Sequence, residues 1–232
     1  MTDQPVALIT GAGSGIGRAA AIELADRGWR LALCARRREP LEETADLADT
    51  ECVIAPGDVA DVEDCRAMIA AATDGLGRLD ALVNNAGYAP LLPIDQTDPD
   101  TIARAFAVNA IGPATLIHLA WPIFLRQKRG VVVNVSTLGT KDPFPGFFAY
   151  AASKAAVNLM TQSCASEGAD HGVRAFAIAP GAVETGMLRE LFSEQQLPRD
   201  QCLAPEAVAA VIAECVCGER EVDNGKVIWM SA

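Results

Sequence analysis

Short apolar runs with almost no polar interruption alternate along this chain with longer stretches of helical spacing, and that alternation limits the possible folds more than any other feature. Strands are expected over 6–10, 30–35, 52–55, 79–84, 130–136, 173–178 and 226–230, and helices over 16–27, 40–49, 62–72, 98–125, 148–168 and 205–215. Strands apolar at every residue, rather than at every second one, belong in a parallel sheet covered on both faces. A β-α-β-α succession with right-handed crossovers then gives a doubly wound, parallel, seven-stranded α/β sheet of Rossmann-like type, one domain over 1–232. The irregular stretches 86–97, 137–147 and 181–201 follow strands four, five and six. They gather at the carboxyl edge of the sheet, where such folds bind ligands.

Composition narrows the choice of partner. With 232 residues, 50% hydrophobic and 21% charged, the chain can bury a full core without disulfide staples. Acidic residues outnumber basic ones 30 to 19, a net charge of −11. Such a surface repels phosphate backbones and anionic lipid, so no nucleic-acid or membrane partner is expected. No apolar run approaches the roughly 20 residues of a membrane span, and the first residues lack the basic and apolar regions of a signal peptide. A cytoplasmic location is expected. Seven scattered cysteines fit a reducing compartment and read as small core hydrophobes; with His118 and His171 the only histidines, no metal site is expected.

Thr10-Gly11-Ala12-Gly13-Ser14-Gly15-Ile16-Gly17 joins the first strand to the first helix. Glycines there allow positive φ and close approach of an anion, and the helix that follows directs its free N–H groups and positive dipole end toward it. Gly11, Gly13, Ser14, Gly15, Ile16 and Gly17 are therefore expected to hold a dinucleotide pyrophosphate. After the second strand comes Arg36-Arg37-Arg38, with no acid until Glu39. An acid there would bind free ribose hydroxyls, whereas guanidiniums suit a 2′-phosphate. NADP(H) is the preferred reading, with Arg36 the main contact and Arg37 the second; NAD(H) is the alternative.

Tyr150 and Lys154 are one turn apart on one helix face, just beyond the end of strand five. A phenol with a pKa near 10 is a poor acid or base at neutral pH. A neighbouring ammonium is expected to lower that pKa and fit Tyr150 for proton transfer.

Together these segments resemble the short-chain dehydrogenase/reductase family in its single-domain branch. The matching segments are Thr10 to Gly17, Asp58-Val59, Asn84-Asn85-Ala86-Gly87, Asn109 in Val108-Asn109-Ala110-Ile111-Gly112, Tyr150 to Lys154, and Pro180-Gly181 through Thr185. The resemblance implies that Tyr150 exchanges a proton with the substrate oxygen, that Lys154 holds the nicotinamide ribose, and that Asn109 anchors a water linked to Lys154. It further implies that Asp58 and Val59 flank the adenine, that Asn85, Ala86 and Gly87 line the adenosine side, and that Pro180, Gly181, Val183 and Thr185 follow the nicotinamide end.

Two departures stand out. The family's third catalytic residue is usually a serine thirteen positions before the tyrosine; here that position is Thr137, preceded by Ser136. Successive strand residues face opposite ways, so register favours Thr137, and a local bulge that turns Ser136 inward is the alternative. The closing Asp-Gly-Gly turn of many relatives is also missing, and the segment after Thr185 is brief. Phe144, Phe147, Phe148, Tyr88, Leu91, Met187, Leu188, Leu191 and Phe192 could wall an apolar pocket.

The expected activity is hydride transfer between NADP(H) and a small ketone, aldehyde or secondary alcohol, a carbonyl reductase or alcohol dehydrogenase. The alternative is a cofactor-binding regulator without catalysis, against which Tyr150, Lys154 and Asn109 count. Family members pair their long helices across two-fold axes, so a homodimer or homotetramer is implied.

Overall fold

In the computed structural model, which describes residues 4–232, seven parallel strands form one sheet in the order β3-β2-β1-β4-β5-β6-β7. The strands are β1 (Val6–Thr10), β2 (Arg30–Ala35), β3 (Cys52–Pro56), β4 (Ala81–Asn84), β5 (Gly130–Val135), β6 (Val173–Pro180) and β7 (Val227–Met230). The helices are α1 (Gly15–Asp26), α2 (Glu39–Ala48), α3 (Val62–Ala70), α4 (Pro99–Phe106), α5 (Gly112–Gln127), α6 (Phe148–Gly168), α7 (Gly186–Leu191) and α8 (Pro205–Cys217). Residues 1–3, which the single-domain and signal-peptide readings include, lie outside the described residues.

Every residue of β1 and β5 is buried, as expected of strands covered on both faces. Alternate residues supply two cores. Ala7, Ile9, Leu31, Leu33, Val133 and Ile178 meet Leu24 of α1 and Val208 and Ile212 of α8. Val6, Leu8, Ala32, Leu82 and Val132 meet Met68 of α3, Leu116 and Phe124 of α5, and Cys164 of α6. The order reverses between β1 and β4, so the loops after these strands open a crevice at the carboxyl edge.

The expected helix 98–125 is not continuous. A π-helical turn at Ala107–Ile111 separates α4 from α5. Pro113 lacks an N–H and cannot donate to the carbonyl of Asn109, so the α-type ladder fails there and the turn widens. The whole run Pro99–Gln127, 29 residues, is nonetheless long and apolar enough for a membrane span. This corrects the expectation that no apolar run approaches that length: Arg104, Asn109 and His118 interrupt the run without making it polar as a whole. Its Leu116, Ala120 and Phe124 pack beneath the sheet. A second difference is α7, which lies in a stretch expected to be irregular. Thr185 caps it, its hydroxyl accepting from the Leu188 N–H at 3.3 Å. Of the cysteines, Cys34, Cys65, Cys164 and Cys215 are buried as expected of core residues, but Cys217, on the last turn of α8, is exposed.

Candidate active site

The glycine loop after β1 has the shape of an anion cradle. Gly11 and Gly15 adopt φ of 66° and 52°, in the left-handed region. A Cβ on Gly17 would lie 2.2 Å from the Gly11 carbonyl oxygen, so only glycine lets α1 begin this close to β1. Ser14 caps α1 with its backbone alone, and no acid stands in the first turn. The N–H groups of that turn are therefore open to a phosphate. The residues present fit a dinucleotide pyrophosphate on this geometry.

Several side chains brace the cradle. Arg18 donates to the Gly13 carbonyl at 2.7 Å and to Glu43 at 2.8 Å, and Thr44 donates to the Ala12 carbonyl at 3.0 Å. Asn85 donates its amide to the Thr10 carbonyl at 2.9 Å, and the N–H groups of Asn85 and Ala86 both reach the Thr10 hydroxyl at 3.0 Å. Asn85 therefore ties the ends of β1 and β4 together, rather than presenting a free amide to the crevice.

Arg36 and Arg37 follow β2, both exposed, and neither forms an ion pair among the described residues; Arg38 pairs with Glu42 at 3.6 Å. At the end of β3, Asp58 accepts from Arg104 at 2.6 Å and from the Ala60 N–H at 3.0 Å. Burial would raise its pKa, but the Arg104 bond, the Ala60 N–H and the Arg36 charge together hold it below the usual carboxylate range. Val59 is buried, and a Cβ on Gly112 would lie 2.5 Å from its carbonyl oxygen.

At the other end of the crevice, Tyr150 and Lys154 rise from the first turns of α6. The side chain of Thr137, the extended residue that follows β5 and Ser136, faces Tyr150 closely enough to favour its ionised form. Ser136 donates instead to the Lys154 main-chain carbonyl at 3.4 Å. Of the two hydroxyls left open by the sequence, that of Thr137 shares a space with Tyr150. No bulge is needed, because the alternation of side chains along the strand already separates them.

Lys154 is 3% exposed, and its Nζ donates to the Val135 carbonyl at 2.7 Å. Burial lowers its pKa to about 8. Tyr150 departs from expectation. Burial pushes its pKa up to about 12, the Thr137 side chain opposing only part of the rise. The expected downward pull from Lys154 is not what governs the phenol, because desolvation of the phenolate is the larger effect. Gly87 lies between the groups: a Cβ there would be 3.5 Å from Asn109 Oδ1 and 3.7 Å from Lys154 Nζ.

Both polar atoms of the Asn109 side chain are engaged. Oδ1 accepts from the Tyr88 N–H at 2.8 Å, and Nδ2 donates to the Tyr88 carbonyl at 2.7 Å and to Ser153 at 3.0 Å. For a water, Asn109 keeps the second lone pair of Oδ1 and its backbone carbonyl, the latter denied its α-type donor by Pro113.

The loops after β5 and β6 complete the crevice. Pro180 pairs with Met230, and the Gly181 N–H donates to the Met230 carbonyl at 2.8 Å. Val183 is buried, and a Cβ on Gly15 would touch the Thr185 methyl at 3.0 Å, so the β6 loop closes over the glycine loop. An aromatic series leads outward from Tyr150. Phe147 meets it edge-on at 5.1 Å between centroids, Phe144 lies 3.8 Å from Phe147, and Phe192 lies 6.3 Å from Phe144. Phe144, Phe148 and Met187 are exposed. Arg189 of α7 pairs with Glu184 and donates to the Leu197 carbonyl at 2.8 Å, strapping this segment in place.

Arg18, Ser153, Arg189 and Arg104 join the site without standing out in the sequence. Arg104 is 46 residues from Asp58, and on an amphipathic helix it looks like any solvated charge. Ser153 had one signal, its place beside Lys154 in the Tyr-x-x-Ser-Lys spacing.

Comparisons with known proteins agree with this geometry. A family model described as short chain dehydrogenase matches residues 5–196. The chain is 38% identical to the 2-(R)-hydroxypropyl-CoM dehydrogenase of Xanthobacter autotrophicus, over 91% of this chain and 89% of that protein. The crystal structure of levodione reductase superposes with a TM-score of 0.92 at 29% identity, covering 98% of this chain and 96% of that one. A 3-ketoacyl-(acyl-carrier-protein) reductase from Brucella melitensis, solved with NADH, gives a TM-score of 0.91 at 27% identity, covering 97% and 96%. A seven-stranded Rossmann-like sheet, a glycine cradle and a matching family model over most of the chain lead to one conclusion: the chain belongs to the short-chain dehydrogenase/reductase family of nicotinamide-dependent oxidoreductases.

Proposed function

We propose that this protein reduces a small ketone or aldehyde, or oxidises the matching secondary alcohol, with NADP(H) preferred over NAD(H). What supports the reading above all is that Lys154, anchored to the Val135 carbonyl at 2.7 Å, and Tyr150, on the same helix and facing the Thr137 side chain, stand at the carboxyl end of β5, on the sheet edge that also carries the glycine cradle. Gly11 to Gly17 would hold the pyrophosphate, and Arg36 with Arg37 a 2′-phosphate. Asp58 and Val59 would lie along the adenine, and Asn85, Ala86 and Gly87 along the inner wall. Pro180 to Thr185 would follow the nicotinamide end.

When bound, the nicotinamide supplies or accepts the hydride at the reacting carbon. In the reductive direction Tyr150 gives its phenolic proton to the carbonyl oxygen as the C–H bond forms. Thr137 donates a hydrogen bond to the same oxygen, which stabilises the charge developing there. Lys154, cationic below about pH 8, stabilises the tyrosinate left behind until solvent reprotonates it. A phenol pushed up to about 12 is protonated throughout the physiological range, so in the reductive direction the proton to be given is already in place. The exposed Phe144 and Met187 favour apolar substituents on the substrate.

A purely regulatory dinucleotide binder is not favoured, since simple binding has no chemical need for a tyrosine hydroxyl grouped with a buried Lys154 and Thr137. Exposed Ile111 and Leu159 on the long helices support assembly as a homodimer or homotetramer, and sedimentation would establish the order. The decisive test follows NADPH absorbance over a carbonyl panel, with and without Tyr150→Phe. Turnover that falls by about 10²–10⁴-fold in the variant supports the reading. NADPH binding without turnover of any carbonyl would return the regulatory alternative.

A further inference from the structure

The ends of β1, β2 and β3 lie side by side at one sheet edge. A dinucleotide with its pyrophosphate on the β1 loop and its ribose beside Arg36 after β2 must carry its base toward the end of β3, where Asp58 stands. That placement of the base rests on the cofactor reading above. Asp58 is held from three sides. Its N–H donates to Asp64 of α3 at 2.8 Å, one carboxylate oxygen accepts from the Ala60 N–H at 3.0 Å, and the other accepts from Arg104 of α4 at 2.6 Å. An ionised carboxylate only accepts hydrogen bonds, and each oxygen has more than one lone pair. Once these contacts are made, the acceptor capacity left on Asp58 suits an amino group and repels a carbonyl oxygen.

We propose that Arg104 is a positioning residue for the cofactor: by gripping the Asp58 carboxylate it aims that group at the exocyclic amino group of adenine, and so makes the site selective for that base. Arg104 is in turn placed by the run that carries Asn109. Close contact of Gly112 with Val59 seats that run against the turn after Asp58. One segment therefore supports both ends of the cofactor, with Arg104 toward the base and Asn109 toward the nicotinamide. The pair is partly open to solvent, 38% for Arg104 and 30% for Asp58. As a plain surface ion pair it would add little to stability, so its effect is expected in binding selectivity.

The test measures dissociation constants without turnover, by fluorescence of NADPH and of its reduced hypoxanthine counterpart, in which a carbonyl replaces the adenine amino group. Wild type should favour the adenine form by about tenfold, the worth of a charge-assisted hydrogen bond. Arg104→Met should weaken the adenine form and bring the two within about twofold of each other, while Arg104→Lys should restore part of the ratio. Asp58→Asn, which offers a donor as well as an acceptor, should abolish or invert the preference. A ratio unchanged in Arg104→Met overturns the proposal, even if both forms bind more weakly, because general loosening would affect both alike. Wild type that binds NADPH without preferring adenine overturns it as well, and leaves the cofactor reading intact. Wild type that binds neither nucleotide overturns both.

Discussion

The two ends of the candidate cofactor crevice differ chiefly in access to water. At the base end, Arg36 and Arg37 are exposed and the Arg104–Asp58 pair is only partly covered. At the reacting end, Lys154 is 3% exposed and Thr137 is 8% exposed, and Tyr150 is half-buried. In water, charges interact weakly and adjust freely; in a buried site the same groups act strongly and their protonation changes. Burial lowers Lys154 to about 8 and raises Tyr150 to about 12, whereas the exposed end is governed by ion pairing. One end is suited to recognition and the other to proton transfer.

The largest expected effect tests the buried end directly. Tyr150→Phe removes the transferable proton and should lower kcat by about 10²–10⁴-fold, with cofactor affinity retained. Next comes the choice between neighbouring hydroxyls. Thr137→Val should cost about 10²–10³-fold in kcat, against no more than about threefold for Ser136→Ala, whose bond to the Lys154 carbonyl is long. The reverse order would show that Ser136 turns into the crevice during turnover.

Arg36→Asp probes the exposed end. It should lower the preference for NADPH over NADH, compared by kcat/KM, by about 10- to 100-fold, as expected for losing a charge-assisted phosphate contact. An unchanged preference would remove the 2′-phosphate assignment. The smallest effect is a pH dependence, and its sign follows from burial. The pKa of Lys154 is depressed, so its charge is present below about 8 and is lost as pH rises through that value. Tyr150 remains protonated throughout the range. Reductive kcat/KM should therefore be level below pH 8 and decline above it, while alcohol oxidation, which needs tyrosinate, should rise with pH. A reductive profile flat to pH 10 would contradict the buried-lysine account.

Much of the architecture is legible in residue patterns. The continuous apolar runs give all seven strands within a few residues, because a parallel strand must be apolar on both faces wherever it lies. The glycine loop and the Tyr150–Lys154 spacing are legible for a similar reason: backbone conformation and helical periodicity are local properties. The break at Asn109 is less visible, although Pro113 is its cause, since a proline near a glycine also suits an ordinary helix start. Short α7 leaves no legible trace, because six residues carry too little periodicity to detect.

Local chemistry along the chain decides which segments become strands and helices, where the chain can cradle a phosphate, and which residue types stand at the ends of the strands. Folding in three dimensions decides which of those residues share a space. The Thr137–Tyr150 contact, the Arg104–Asp58 pair across 46 residues, and the Asn109 bonds to Tyr88 and Ser153 each join elements distant in sequence. The direction of the Tyr150 shift belongs to the same group. Spacing alone pointed to a lysine that acidifies the phenol, but desolvation depends on every atom packed around it, and only the folded chain brings those atoms together.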